Sequence, residues 1–210
     1  MEPDSDCSFC PRLRTFRHHW REEEPSWFNA PVPGFGPPGA EVLIVGLAPG
    51  LRGANRTGRP FTGDYAGDLL FTTLLKFGLA RGCYDGHAED GLMLVGCRIV
   101  NAVRCVPPQN RPTGEEVAAC RHFLAGELVH VPEGGAILAL GRVAHDAVLG
   151  TLGERRTSRP FSHGALHRLN CARLLADSYH CSRYNTNTGR LTAAMFESAV
   201  EGMLTAIARH

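Results

Sequence analysis

Two hydrophobic rhythms alternate along the chain. Short, largely apolar runs occupy residues 41–45, 93–100, 136–140 and 173–176, each bounded by turn residues. Runs of this length and composition predict strands buried on both faces. Between them, apolar residues recur every third or fourth position. Leucines at 69, 70, 74 and 75 mark a helix over 68–77. Val117, Cys120, Phe123, Leu124 and Leu128 mark another, and 141–149 and 192–208 carry the same signal. Thr113 with Glu116 forms a capping-box pattern ahead of the second helix. A short helix is expected within 12–20 and a short strand around 168–169, and the Pro/Gly segment 31–39 must be loop. Strands alternating with helices predict an α/β layer fold with a largely parallel sheet. Its ligand site belongs beyond the C-terminal strand ends, where the polar segments 46–67, 101–112 and 180–187 fall. No repeat or long linker divides the chain, so one domain is expected over 1–210, with 1–39 as an irregular N-terminal segment.

Composition changes this picture little. The 210 residues carry a net charge of +1, which does not announce a nucleic-acid partner. The basic side is nearly all arginine, with Lys76 the only lysine, and a guanidinium fork suits phosphate. No apolar run reaches the roughly 18 residues needed to span a membrane. The acidic, polar start is unlike a secretory signal, so a cytoplasmic, nucleoid-associated protein without a membrane partner is expected. Eight cysteines in that setting favour metal ligation or buried thiols over disulfides. Cys7-x-x-Cys10 is a common ligand pair, and Cys105 and Cys120 complete a set of four. That chemistry leaves iron–sulfur and zinc equally open. Cys83, Cys97 and Cys171 read as core or half-buried thiols.

The long loop 46–67 holds six glycines, three arginines, two aromatics and an acid, and it leaves directly from a strand. It lacks the G-K-[ST] ending of a phosphate-binding P-loop, and its glycine spacing does not fit a dinucleotide fingerprint. Phe61 stands in this polar loop with no apolar stripe to join.

Gly46-Leu-Ala-Pro-Gly50, Gly58-Arg-Pro-Phe-Thr-Gly-Asp64 and Ser178-Tyr-His-Cys-Ser-Arg-Tyr-Asn185 resemble the active-site motifs of the uracil-DNA glycosylase superfamily. The closest branch is the iron–sulfur-containing family 5, or type B, and the resemblance runs from Cys7 to about Thr192. It implies a monomeric three-layer α/β/α fold around a central, mainly parallel four-stranded sheet. It also implies hydrolysis of the N-glycosidic bond of uracil and other damaged bases in double- and single-stranded DNA. A [4Fe–4S] cluster on Cys7, Cys10, Cys105 and Cys120 would tether the N-terminal segment. The resemblance assigns Asp64, Asn110 and His180 to catalysis. Gly46, Ala48, Phe61 and Asn101 would receive the extruded base, with Phe61 as stacking platform and Asn101 reading its edge. Arg52, Arg56, Arg59, Arg111, Ser182, Arg183, Tyr184 and Asn185 would contact DNA, with Arg183 and Tyr184 long enough to fill the vacated base position. Leu47 departs from the pattern, because related branches place a polar, water-positioning residue there. That departure keeps a catalytically inactive iron–sulfur nucleic-acid binding module as the alternative.

Overall fold

A computed structural model describes residues 2–208; Met1, Arg209 and His210 of the expected 1–210 unit lie outside the described residues. In chain order the elements begin with α1 (Pro11–Glu23), β1 (Val42–Gly46), α2 (Ala54–Thr57), α3 (Tyr65–Lys76), β2 (Ala80–Arg81) and β3 (Met93–Leu94). Next come β4 (Cys97–Asn101), α4 (Gly114–Leu128), β5 (Ala136–Leu140) and α5 (Arg142–Leu152). The chain ends with β6 (Leu166–Arg168), β7 (Leu174–Ser178), α6 (Arg183–Asn187) and α7 (Ala193–Ala208). The main sheet has the order β4-β1-β5-β7-β6. Its first four members are parallel, and β6 is an antiparallel edge strand against β7. The four expected parallel strands are thus present, joined by a fifth at the edge.

Every residue of β1, β5 and β7 is buried, which is why these strands show no polar alternation in sequence. Val42, Ile44, Ala136, Leu138, Leu174 and Ala176 pack on Leu70, Phe71 and Leu74 of α3 and on Phe196, Val200 and Met203 of α7. Leu43, Val45, Ile137, Ala139 and Leu175 pack on Leu124 and Leu128 of α4 and on Ala144 and Val148 of α5. The pleat sends alternate side chains to opposite helix layers, giving the α/β/α sandwich.

Two element boundaries differ from the sequence expectation. The apolar run 93–100 breaks at Gly96 (φ +65°) into β3, which pairs antiparallel with β2, and β4, which joins the main sheet. Helix α3 starts three residues earlier than its leucines indicate, because the Asp64 side chain accepts a hydrogen bond from the Ala66 N–H and caps it. The capping box of α4 forms as expected, with the Glu116 N–H donating to Thr113 Oγ1 and the Thr113 N–H to Glu116 Oε2.

The N-terminal segment is stitched to the sheet's C-terminal rim. Leu13 of α1 is buried among Val103, Cys105, Cys120 and Phe123. Arg12 forks onto the Glu116 carboxylate at 2.7 and 2.8 Å, and the Val32 N–H donates to the Arg104 carbonyl. Strand order reverses at β1, flanked by β4 on one side and β5 on the other, so the loops leaving β1, β4 and β7 meet above the sheet.

Candidate active site and cysteine corner

A cavity of about 610 Å³ opens on that rim, lined by Leu47, Ala48, Gly50, Arg52, Asp64, Tyr65, Ala66, Asn110, His180, Ser182 and Arg183 among others. Three strands therefore deliver Asp64, Asn110 and His180, the three expected catalytic residues, to one wall.

The floor is built around Gly46 at the end of β1. A Cβ there would sit 2.7 Å from the Phe61 ring and closer still to the Asn101 amide oxygen, so only glycine lets ring and amide meet. Phe61 is buried with φ +55°, a conformation an aromatic residue rarely holds without its surroundings enforcing it. The clamp is Arg59. Its guanidinium binds both oxygens of Asp90 at 2.7 and 2.8 Å, donates from Nε to Thr62 Oγ1, and lies over the rings of Phe35 and Phe71. Arg59 was expected on the DNA backbone and is corrected here. At 5% exposure with both ends of its fork occupied it cannot reach a phosphate, and it holds the Phe61 turn instead.

Asn101 is 3% exposed, yet among the described residues its amide has no hydrogen-bond partner, and its atoms are not among the sealed unsatisfied ones. A buried amide in that state has unused hydrogen-bonding capacity. His180 stacks near Phe61, ring centroids 5.6 Å apart, and burial pushes its pKa down to about 4. The imidazole is therefore neutral at physiological pH and can donate one N–H. The Asn185 side chain donates to the His180 carbonyl at 2.9 Å, so Asn185 braces the His180 turn rather than reaching outward. Ser182 caps α6 by accepting from the Asn185 N–H.

The Asp64 carboxylate lies directly over the backbone of Gly50 and Gly53, where a Cβ would stand 2.7 Å from Oδ2 and 2.8 Å from Cγ respectively. Burial raises its pKa, the Ala66 and Gly67 amides pull it back, and burial wins. Cap and pocket roles coexist, because Ala66 uses one oxygen while the other faces the glycines. Gln109 and Asn110 both have left-handed backbone (φ +55° and +56°), which turns Asn110 to the exposed cavity mouth. Arg52, Arg56, Arg111 and Arg183 are exposed; Arg183 lies over the Tyr65 ring at 5.3 Å, and Tyr184 projects outward at 71% exposure. Tyr65 went unnoticed in the sequence, although an aromatic just after the capping aspartate was a visible signal.

The model for the uracil DNA glycosylase superfamily matches residues 33–204. The chain belongs to the uracil-DNA glycosylase superfamily. It is 47% identical over 200 residues to a type-5 uracil-DNA glycosylase of Thermus thermophilus, covering 90% of this chain and 89% of the relative. A type-5 enzyme of Pyrobaculum aerophilum is 44% identical over 191 residues, covering 89% and 83%. One from Mycobacterium leprae is 43% identical over 206 residues, covering 92% and 88%. A type-4 enzyme of P. aerophilum is 35% identical over 151 residues, covering 71% and 63%. The type-5 matches are both longer and closer, which puts this glycosylase-family chain in the type-5 branch.

Behind the active-site rim, Cys7, Cys10, Cys105 and Cys120 face one small internal hollow with Leu13, Val103 and Phe123. No disulfide joins any of the cysteines, and Cys83 is exposed rather than the core or half-buried thiol expected. Burial pushes Cys10 up to about 11 and Cys120 up to about 12, and neighbouring sulfurs add to both shifts. Arg17, 1% exposed, reaches in beside them. Its Nη1 donates to Cys105 Sγ at 3.0 Å and its Nη2 to the Cys7 carbonyl, and among the described residues no carboxylate pairs with it. The Arg104 N–H points at Cys120 Sγ. Four soft donors, an unpaired buried cation and N–H groups aimed at sulfur fit a negatively charged metal–thiolate centre.

A second group of ligand-type residues lies under β7. His145 Nδ1 meets Asp177 Oδ1 at 2.7 Å, His167 Nε2 meets Asp177 Oδ2 at 3.1 Å, and His145 Nε2 meets the Arg159 carbonyl at 2.9 Å. Both His145 nitrogens face acceptors, so the ring donates twice. Burial pulls its pKa down, but the Asp177 carboxylate and the Arg159 carbonyl outweigh burial and the net shift is upward.

Proposed function

We propose that this chain is a monofunctional DNA glycosylase that hydrolyses the N-glycosidic bond of uracil and other deaminated or damaged bases, initiating base-excision repair. The observation that carries the reading is His180: a neutral imidazole on the pocket wall, among the described residues without a side-chain partner, beside a ring and an amide that also await a ligand. An extruded base would stack on Phe61 and present its edge to Asn101. The bond from C1′ to the base nitrogen breaks with its electron pair leaving on the base. His180 donates a hydrogen bond to the oxygen where that negative charge collects. Asp64 faces the sugar, stabilises its developing positive charge, and takes the proton of the water that adds to C1′. Leu47 offers no polar contact to that water, so the load falls on Asp64 with Asn110 at the mouth. Arg52, Arg56, Arg111 and Arg183 would hold phosphates, and Tyr184 would fill the vacated stack.

The cavity lining includes the small residues Ala48, Gly50 and Ala66. This supports acceptance of larger bases beside uracil. The partner is DNA, double- or single-stranded, met by a monomer in the cytoplasm or nucleoid; no helix of the described residues is long and apolar enough to cross a membrane.

For the cysteine corner the reading is a [4Fe–4S] cluster. Four buried or half-buried thiols around one small hollow, with the unpaired Arg17 guanidinium beside them, support it. The role of the cluster would be to hold the N-terminal segment and the loop carrying Asn110.

The test is single-turnover excision of uracil, hypoxanthine and 5-hydroxymethyluracil from duplexes. His180→Ala and Asp64→Ala should each slow uracil release by about 10²–10³-fold. The acid limb of kcat/KM should lie well below the ordinary histidine value of 6.5, because His180 stays neutral down to about 4. DNA binding with no abasic product from the wild-type protein would instead favour the inactive binding module that Leu47 suggests.

A further inference from the structure

Four arginines rest on aromatic rings, and they divide by what else they touch. Arg59 is locked to Asp90. Arg183 over Tyr65, Arg142 over Phe161 at 5.5 Å and Arg190 over Tyr179 at 4.6 Å have no carboxylate partner among the described residues. All three line one of two hollows that share His180 as a common wall. The first is the base cavity with Arg183. The second is a polar hollow of about 260 Å³ carrying Arg142 and Arg190 along with Ser162 and Asn185, and no carboxylate stands in its lining. The nearby acid, Asp177, is fully buried and spent on His145, His167 and the Ser162 N–H.

We propose that the Arg142–Arg190 hollow is a phosphodiester subsite for the DNA strand whose base is extruded. This rests on the glycosylase reading above. Two exposed guanidiniums without a carboxylate partner, each pre-oriented on a ring, are free to take an anion in the hollow they line. Phosphate is the anion a DNA strand supplies. Because the hollow shares His180 with the base cavity, the phosphate it takes lies within a step or two of the extruded nucleotide. Phe161 and Tyr179 are then platforms. They hold the forks out over the hollow, so little side-chain freedom is lost on binding. Arg142 opens α5 directly after β5, a strand end that the sequence reading passed over when it placed its phosphate contacts.

The experiment uses duplexes containing 2′-fluoro-2′-deoxyuridine, which resists hydrolysis, with one neutral methylphosphonate linkage placed at each position around it in turn. Binding to the wild-type protein, Arg142→Ala, Arg190→Ala and the double variant is measured from low to physiological salt. Each single variant should lose on the order of tenfold in affinity. Each should also flatten the slope of log K against log salt by about 1. One neutral linkage, on the damaged strand close to the fluorouridine, should weaken the wild-type protein by a similar factor and the double variant hardly at all. Unchanged affinity and slope in the variants overturn the proposal, as does a neutral-linkage penalty identical in wild type and double variant at every position. Excision of ordinary uracil by the wild-type protein, run alongside, reports on the glycosylase reading separately.

Discussion

In the cysteine corner, the buried Arg17 guanidinium points at one sulfur and one carbonyl, and the Arg104 backbone N–H points at a second sulfur. In the His145–Asp177–His167 knot, both His145 nitrogens, His167 Nε2 and both Asp177 oxygens are already paired within 2.7–3.4 Å. Both regions gather metal-type ligands in the interior. Only the first leaves a charge account open, because Arg17 has no carboxylate and neutral thiols cannot answer it. The knot closes its own account through a doubly donating imidazole and a carboxylate. Proximity of ligands is therefore a weak sign of a metal site, and the partners of each donor decide.

The largest effect that sharpens this contrast is loss of one of the four cysteines proposed to hold the cluster. Cys120→Ala should remove most soluble protein, because cluster binding is coupled to folding and its loss is comparable to total stability, about 5–15 kcal/mol. Iron and acid-labile sulfide assays should find about four irons in the wild-type chain. Stoichiometric zinc, or a Cys120→Ala protein with an unshifted Tm, breaks the assignment. Arg17→Met, nearly isosteric and apolar, should bleach faster in air and lose iron to chelators more readily. Retention equal to wild type would show that Arg17 only packs. Next in size is Asp177→Ala, which strands a buried imidazolium and should cost about 3–5 kcal/mol by denaturant unfolding, with iron content intact. A loss under about 1 kcal/mol would mean the knot is ordinary packing.

How much of this could be read from the sequence follows the same division. The buried strands and α4 with its capping box were plain, because local periodicity and local hydrogen bonds specify them. Asp64, Asn110, His180 and the four cysteines were found through motif resemblance, and the fold brings each group together. Arg59 was misread because its decisive partner, Asp90, lies 31 residues away and no local pattern links them. The knot was invisible for the same reason, its members coming from α5, β6 and β7. Residues 93–100 read as one strand because a single glycine inside an apolar run barely perturbs periodicity. Arg142 and Arg190 were missed although each flanks a strand-end loop; nothing in sequence tells a paired arginine from a free one.

A smaller effect comes from pH. His145 has a raised folded pKa, so it binds its proton more tightly in the native state than the ordinary 6.5 allows. The stability this supplies is fully present below 6.5 and is lost as pH rises through the folded value. Thermal unfolding should therefore show a fall in Tm on the alkaline side of that value which His145→Gln abolishes. The same Tm dependence in both proteins would place the titration elsewhere.

The smallest expected effect is none at all, and it is the sharpest test of the comparison. A divalent ion entering the knot would have to take the proton from His145, which two acceptors hold, and displace the His145, His167 and Ser162 donors from Asp177. Each of those bonds is a cost that binding must recover before any net affinity appears, and the three residues offer no fourth protein ligand among the described residues. Zinc or cobalt added to cluster-loaded protein should leave Tm unchanged, whereas a ligand bound at a hundred times its Kd would add about 2.7 kcal/mol. A Tm rise that disappears in Asp177→Ala would show that the knot opens to metal, and that internal pairing of ligands is no bar to a site.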